Sequence, residues 1–147
     1  MERQLRLAYH LCRLLLGGVF LFAGLSKIRD VTGFAGDIAA YRILPYQWNY
    51  LAAATLPYIE FMAGLLLLIN RRVRPAALLT ALLTLGFIAA LASVLYRGLE
   101  IDCGCFGAVP TSPQVALWRD LGLLLLAHIT FHLRNRFAPT GTQGRPG

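Results

Sequence analysis

Residues 55–96 read TLPYIEFMAGLLLLINRRVRPAALLTALLTLGFIAALASVLY. Two apolar runs, at 51–69 and 75–96, flank the basic cluster Arg71, Arg72 and Arg74. Each run has about the ~20 residues with which an α-helix crosses the hydrocarbon core of a bilayer. The three arginines between them read as a topology signal, since Lys and Arg are biased to the cytoplasmic side.

Working outward, a third run covers residues 9–28 and a fourth covers 115–133. Arg119 and Asp120 sit in the first turns of the fourth, which places them at headgroup level with the apolar stretch beginning at Leu121. The first run follows Arg3 and Arg6, as a signal peptide would. It lacks a convincing small-x-small cleavage site and is long for a signal core, so it reads as a retained helix. The expected fold is all-α: an integral membrane four-helix bundle occupying residues 1–138 as one domain. The Pro/Gly/Thr-rich tail, 139–147, is expected to be disordered. No internal repeat is present.

Composition agrees. The chain has 147 residues, 57% of them hydrophobic and 14% charged, against roughly 25% charged in soluble domains. Too few charges remain to build a water-facing surface. The net charge of +7 does not indicate nucleic acid, because the basic residues flank apolar runs instead of forming a contiguous face.

Between the first two runs lies DVTGFAGDIAAYRILPYQW, residues 30–48. Phe34, Ile38 and Tyr41 recur at i, i+4, i+7 with Asp37 and Arg42 off that face, which suits a short amphipathic helix lying in the membrane interface. An ordered loop capping the bundle is the alternative. Pro45 is expected to end this segment, and Tyr46, Trp48 and Tyr50 to form an aromatic belt. Thr111, Ser112 and Pro113 signal the start of the last helix.

Four crossings put both termini and the RRVR turn on one side. That side holds nine basic residues (Arg3, Arg6, Arg13, Arg71, Arg72, Arg74, Arg134, Arg136, Arg145) against five on the other (Lys27, Arg29, Arg42, Arg97, Arg119). The first side is therefore cytoplasmic, and the segment EIDCGCF at 100–106 faces outward. Two of the three cysteines, Cys103 and Cys105, sit there with one glycine between them, in a compartment where disulfides persist. Gly104 gives the backbone the freedom to bring them together. So small a ring removes little entropy from the unfolded chain and should be strained, which argues for a labile redox couple over a structural staple. Asp102 disfavours a thiolate at Cys103, making Cys105 the more acidic thiol. A metal site is not expected, because the outward side has no histidine to complete a ligand set. Two thiols without a role beyond packing remain the bland reading, and it fits Cys12. Without a second outward pair, electrons must leave to a partner protein or to a lipid-soluble carrier such as quinone.

Glu60 falls near the middle of the second span, where a charge costs some ~2.5–3.5 kcal/mol and should face the bundle interior. Pro57 leaves the Ala53 carbonyl without its helical donor, and Gly64 allows a close helix approach. By depth, His128 of the fourth span lies near the level of Glu60, with His132 one turn beyond. The pair either carries protons to a reduced carrier or simply hydrogen-bonds. Lys27 either snorkels to the headgroups or acidifies a nearby cysteine. Gly17, Gly18, Gly86 and Ala90 suit helix packing within one chain or between copies in a homo-oligomer.

The order GLSKIRD, YRILP, LPYIEFMAG, IDCGCFG, WRD, over about residues 9–134, resembles the MauE branch of the DoxX-like membrane proteins. The resemblance implies a redox-associated protein of the bacterial cytoplasmic membrane. It implies a role in methylamine utilisation, helping a disulfide-rich extracytoplasmic client such as the methylamine dehydrogenase small subunit to mature. On the matching positions, Cys103 and Cys105 carry the redox role, supported by Lys27, Glu60, Arg119 and Asp120. Three functions stay open: a thiol–disulfide oxidoreductase or accessory to one, a scaffold without turnover, and a small-molecule or ion carrier using Glu60.

Overall fold

The computed structural model describes residues 1–101 and 111–137. Asp102, Cys103 and Cys105 lie outside the described residues, as does the tail from 138 onward. The described chain is helical throughout its regular structure: α1 (Glu2–Arg29), α2 (Val31–Ala40), α3 (Tyr46–Leu68), α4 (Val73–Tyr96) and α5 (Pro113–Phe137).

Local chemistry explains the boundaries. Asp30 breaks α1 with φ −138° and ψ 70°, and its carboxylate then accepts from the Gly33 amide at 2.9 Å and the Thr32 hydroxyl at 3.1 Å. A side-chain acceptor of this kind satisfies an orphan donor at the start of α2. Pro45 does not end α2, as the sequence suggested; α2 stops at Ala40, Arg42 takes a left-handed φ of 51°, and Pro45 caps the start of α3. A proline lacks the amide that the first turn leaves unbonded anyway, so it suits a helix start. Tyr46, Trp48 and Tyr50 consequently ride on the first two turns of α3, all exposed.

The α3–α4 turn uses two further left-handed residues, Asn70 at φ 57° and Arg72 at φ 47°. Its acceptors are met by α1. Arg13, buried, donates to the carbonyls of Leu67 and Leu68, while the Tyr9 hydroxyl donates to Asn70 Oδ1 at 3.0 Å. The last carbonyls of a helix have no internal donor and carry its partial negative charge, so a cation there satisfies both needs.

α1 packs on α3 and α5, α4 packs on α5 and α3, and α2 lies against α3. The α1–α3 contact is the tightest of these. A methyl group at Gly64 would lie 2.5 Å from the Leu21 nitrogen and 2.7 Å from the Gly17 oxygen; one at Gly24 would lie 2.6 Å from the Phe61 nitrogen. Only the absence of Cβ permits this approach. Gly18 and Gly86 face open space.

α1, α3 and α4 are long and apolar enough to cross a membrane. α5 is as long, but the charges of Arg119 and Asp120 and the two histidines interrupt its apolar run. Much of the outer surface is aliphatic, with Leu7, Leu15, Phe22, Leu78, Leu82 and Leu125 all more than half exposed. Such a surface suits lipid, not water.

Candidate functional site

The buried face of α1 runs through Tyr9, Arg13, Leu16, Gly17, Phe20, Ala23, Gly24 and Lys27, the spacing of one helical stripe. Lys27 closes that stripe and so points inward. The close passage at Gly24 brings it against α3 beside Glu60, and its ammonium donates to both carboxylate oxygens, at 2.8 and 2.9 Å. The two side chains are 3% and 1% exposed, so the pair is buried. Lys27 is therefore not snorkelling. α2 folds over it, and the ammonium sits 4.9 Å from the Phe34 ring centroid and 4.8 Å from that of Phe87 on α4. Aromatic faces attract a cation, most strongly when it is desolvated.

α5 contributes the second ion pair. Arg119 donates through Nε and Nη2 to Asp120 Oδ1, at 2.9 and 2.7 Å. Asp120 is buried, and its Oδ2 has no partner among the described residues. Asp120 lines a small space of about 30 Å³ together with Lys27, Glu60, Thr84, Phe87 and Arg119, room enough for one water. Four residues expected separately from the sequence (Lys27, Glu60, Arg119 and Asp120) thus form one cluster joining α1, α3 and α5. With two cations and two carboxylates it is formally neutral, which lowers the cost of burying it. Chemically it can bind a water, hold or pass a proton, and fix three helices in register.

Tyr41, at the end of α2, is tied to the same region. Its phenol is pushed up to about 12 by burial and by the nearby carboxylates of Asp120 and Asp37, with Arg119 opposing. Arg97, at the end of α4, donates to the Tyr41 carbonyl and, at 3.3 Å, to that of Arg42, pinning the α2–α3 turn onto α4.

His128 does not join Glu60. Eight residues beyond Asp120 it is rotated about 80° round α5, and it stands exposed beside His132, ring centroids 4.4 Å apart, on a face with Ala77, Leu78 and Ala81. Cys12 is a free thiol in α1. Among the described residues, no three His, Cys, Asp or Glu side chains gather as a metal would require. Sequence reasoning missed Phe87, Gly24 and the capping role of Arg13. The spacing of Gly17, Gly24 and Lys27 on one stripe was the readable signal for Gly24; nothing comparable marked Phe87.

A family model described as methylamine utilisation protein MauE matches residues 5–133. The chain belongs to the MauE family. Among MauE relatives, the methylamine utilization protein MauE of Paracoccus denitrificans is 40% identical over 118 residues, covering 78% of this chain and 63% of that one. The MauE of Methylophilus methylotrophus is 29% identical over 116 residues, covering 78% and 61%. The match thus spans about three fifths of these MauE proteins' length. No solved structure matches. Family and helices together make this MauE homologue a multi-pass membrane protein.

Proposed function

We propose that the chain is a membrane-embedded maturation factor in methylamine utilisation, acting through thiol–disulfide exchange at Cys103 and Cys105. The observation that carries this reading is the pair itself: a Cys-Gly-Cys in the segment joining α4 to α5, in a member of the MauE family. α5 serves as the fourth crossing, completing a four-helix bundle in the bacterial cytoplasmic membrane with both termini inside. α2 lies toward the outer interface and the dithiol faces the extracytoplasmic space. The basic-residue asymmetry supports that orientation.

In the oxidising direction, a client thiolate attacks one sulfur of the Cys103–Cys105 disulfide and the other sulfur leaves as a thiolate. The client's second thiolate then resolves the mixed disulfide. The client gains a disulfide, and the two electrons end as the reduced Cys103–Cys105 pair. Lys27, Glu60, Arg119 and Asp120 are positioning residues for this chemistry. Lys27 and Glu60 tie α1 to α3, and Arg119 and Asp120 border the same space from α5, two turns below Pro113, where the dithiol segment joins α5.

Thiol trapping in intact cells with a membrane-impermeant alkylating reagent tests the reading, on the native chain and on Cys103→Ser and Cys105→Ser. Labelling of both cysteines only after mild reduction, with client-linked adducts in one single variant, is the expected result. Free labelling without reduction and no adduct in either variant would leave a scaffold without turnover.

A further inference from the structure

We infer that the groove between α2, α3 and α4 is a binding site for one anionic phospholipid, its acyl chain in the groove and its phosphate on Arg42 and Arg97. The groove has a volume of about 380 Å³ and is lined by Phe34 and Ile38 of α2, Ile43 and Leu44 of the turn, Leu56 of α3, and α4 from Leu79 to Ala90. That volume lies in the range of small-molecule sites. The lining is hydrocarbon apart from the Tyr41 phenol, so the occupant of its interior is itself hydrocarbon.

Its length identifies the kind of hydrocarbon. From Ala90 to Leu79 the wall descends eleven residues of α4, about 16 Å at 1.5 Å per residue. One leaflet of a bilayer has a hydrocarbon depth of about 15 Å, half the ~30 Å core. The groove is one acyl chain deep. It is also ready for a chain, because Gly86 on its wall meets nothing within 4 Å where a side chain would stand.

Charge at the mouth identifies the headgroup. Ala90 lies against the cluster containing Tyr41, Leu91 and Val94, so the upper end of the groove opens beside Arg42 and Arg97. Both arginines are exposed. The Arg97 guanidinium reaches the Arg42 carbonyl at 3.3 Å, which holds the two residues together, and the Arg42 guanidinium has no partner among the described residues. Exposed Tyr46 and Trp48 on α3 and Tyr96 on α4 mark the same level as the membrane interface. A phosphate there meets two cations: the Arg42 guanidinium offers donors in a forked geometry, and Arg97, whose guanidinium already donates to the Ser93, Tyr41 and Arg42 carbonyls, adds its charge. The bound lipid would brace α2 over the Lys27–Glu60 pair, since Phe34 faces both the groove and the ammonium.

The test uses the full chain, purified in detergent, reconstituted into vesicles of phosphatidylglycerol or phosphatidylcholine, re-extracted and examined by native mass spectrometry. One phosphatidylglycerol per chain is expected to survive, with phosphatidylcholine retained at least tenfold less. Arg42→Gln, an exposed change, should lower phosphatidylglycerol retention at least tenfold while leaving the melting temperature in bare detergent unchanged. Gly86→Leu, which fills the groove, should abolish it. Equal retention of both lipids, or undiminished retention in Arg42→Gln, overturns the proposal. So does a co-purifying isoprenoid quinone lost only in Gly86→Leu, which would assign the groove to another ligand.

Discussion

Glu60 illustrates how a residue's partner governs its meaning. A carboxylate in mid-span demands compensation, and Lys27 supplies it with two hydrogen bonds in a site closed to solvent. Removing one partner strands the other charge, whereas removing both restores an apolar contact. Lys27→Met or Glu60→Leu alone should therefore cost about 3–5 kcal/mol of stability, and the double variant should recover more than half of it. Thermal unfolding in detergent checks this; strictly additive losses would show that the two side chains do not act as a pair. Tyr41 gives a pH signature. Its proton is held up to about 12 in the folded chain against 10.0 for a free phenol. The unfolded chain thus binds fewer protons between those values, and stability falls as pH rises. The contribution is complete below pH 10 and is lost as pH rises through about 12. Ultraviolet titration should show one of the six tyrosines ionising near pH 12 and absent in Tyr41→Phe. A native titration that Tyr41→Phe leaves unchanged near pH 12 would contradict the packing of α2.

Between elements, the α1–α3 contact organises the rest. Gly24 and Gly64 let the two backbones approach until a single methyl would collide with main-chain atoms, and this approach carries Lys27 to Glu60. Gly64→Val should cost about 1–3 kcal/mol by overpacking, with displacement of the ion pair, whereas Gly18→Val, facing open space, should cost nothing measurable. Comparing the two melting temperatures separates close packing from the general effect of replacing a helical glycine. The helices themselves were legible in the sequence, because each apolar run is long and bounded by charges or proline. Their starts moved outward: α1 begins at Glu2 and α3 at Tyr46, since polar and aromatic residues continue a helix as readily as they border a membrane. α2 was anticipated from Phe34, Ile38 and Tyr41. Its turning over Lys27 was not, because that depends on how α2 packs against α3.

At the scale of the molecule, the question is whether α5 crosses the bilayer as α1, α3 and α4 are suited to do. Its Arg119–Asp120 pair neutralises itself, and Asp120 turns inward, so the charges do not bar insertion. In a chain with its own cysteines replaced by serine, Glu100→Cys should react with an impermeant reagent in intact cells. Arg71→Cys and Arg136→Cys should react only after permeabilisation. Outside labelling of Arg136→Cys would mean that α5 lies on the membrane and that the two termini are on opposite sides.

The sequence by itself determined that the chain is helical, that most of its helices belong in a bilayer, and that a dithiol is placed between α4 and α5. These are properties of composition and spacing, which short stretches carry alone. Tertiary structure decided that Glu60 meets Lys27 instead of His128, that Lys27 is sealed by Phe34 and Phe87, and that the two histidines of α5 face outward. Depth in the membrane can be counted along a helix. The direction a side chain faces follows from helix rotation and crossing, which the glycines at the α1–α3 contact fix only once the two helices meet.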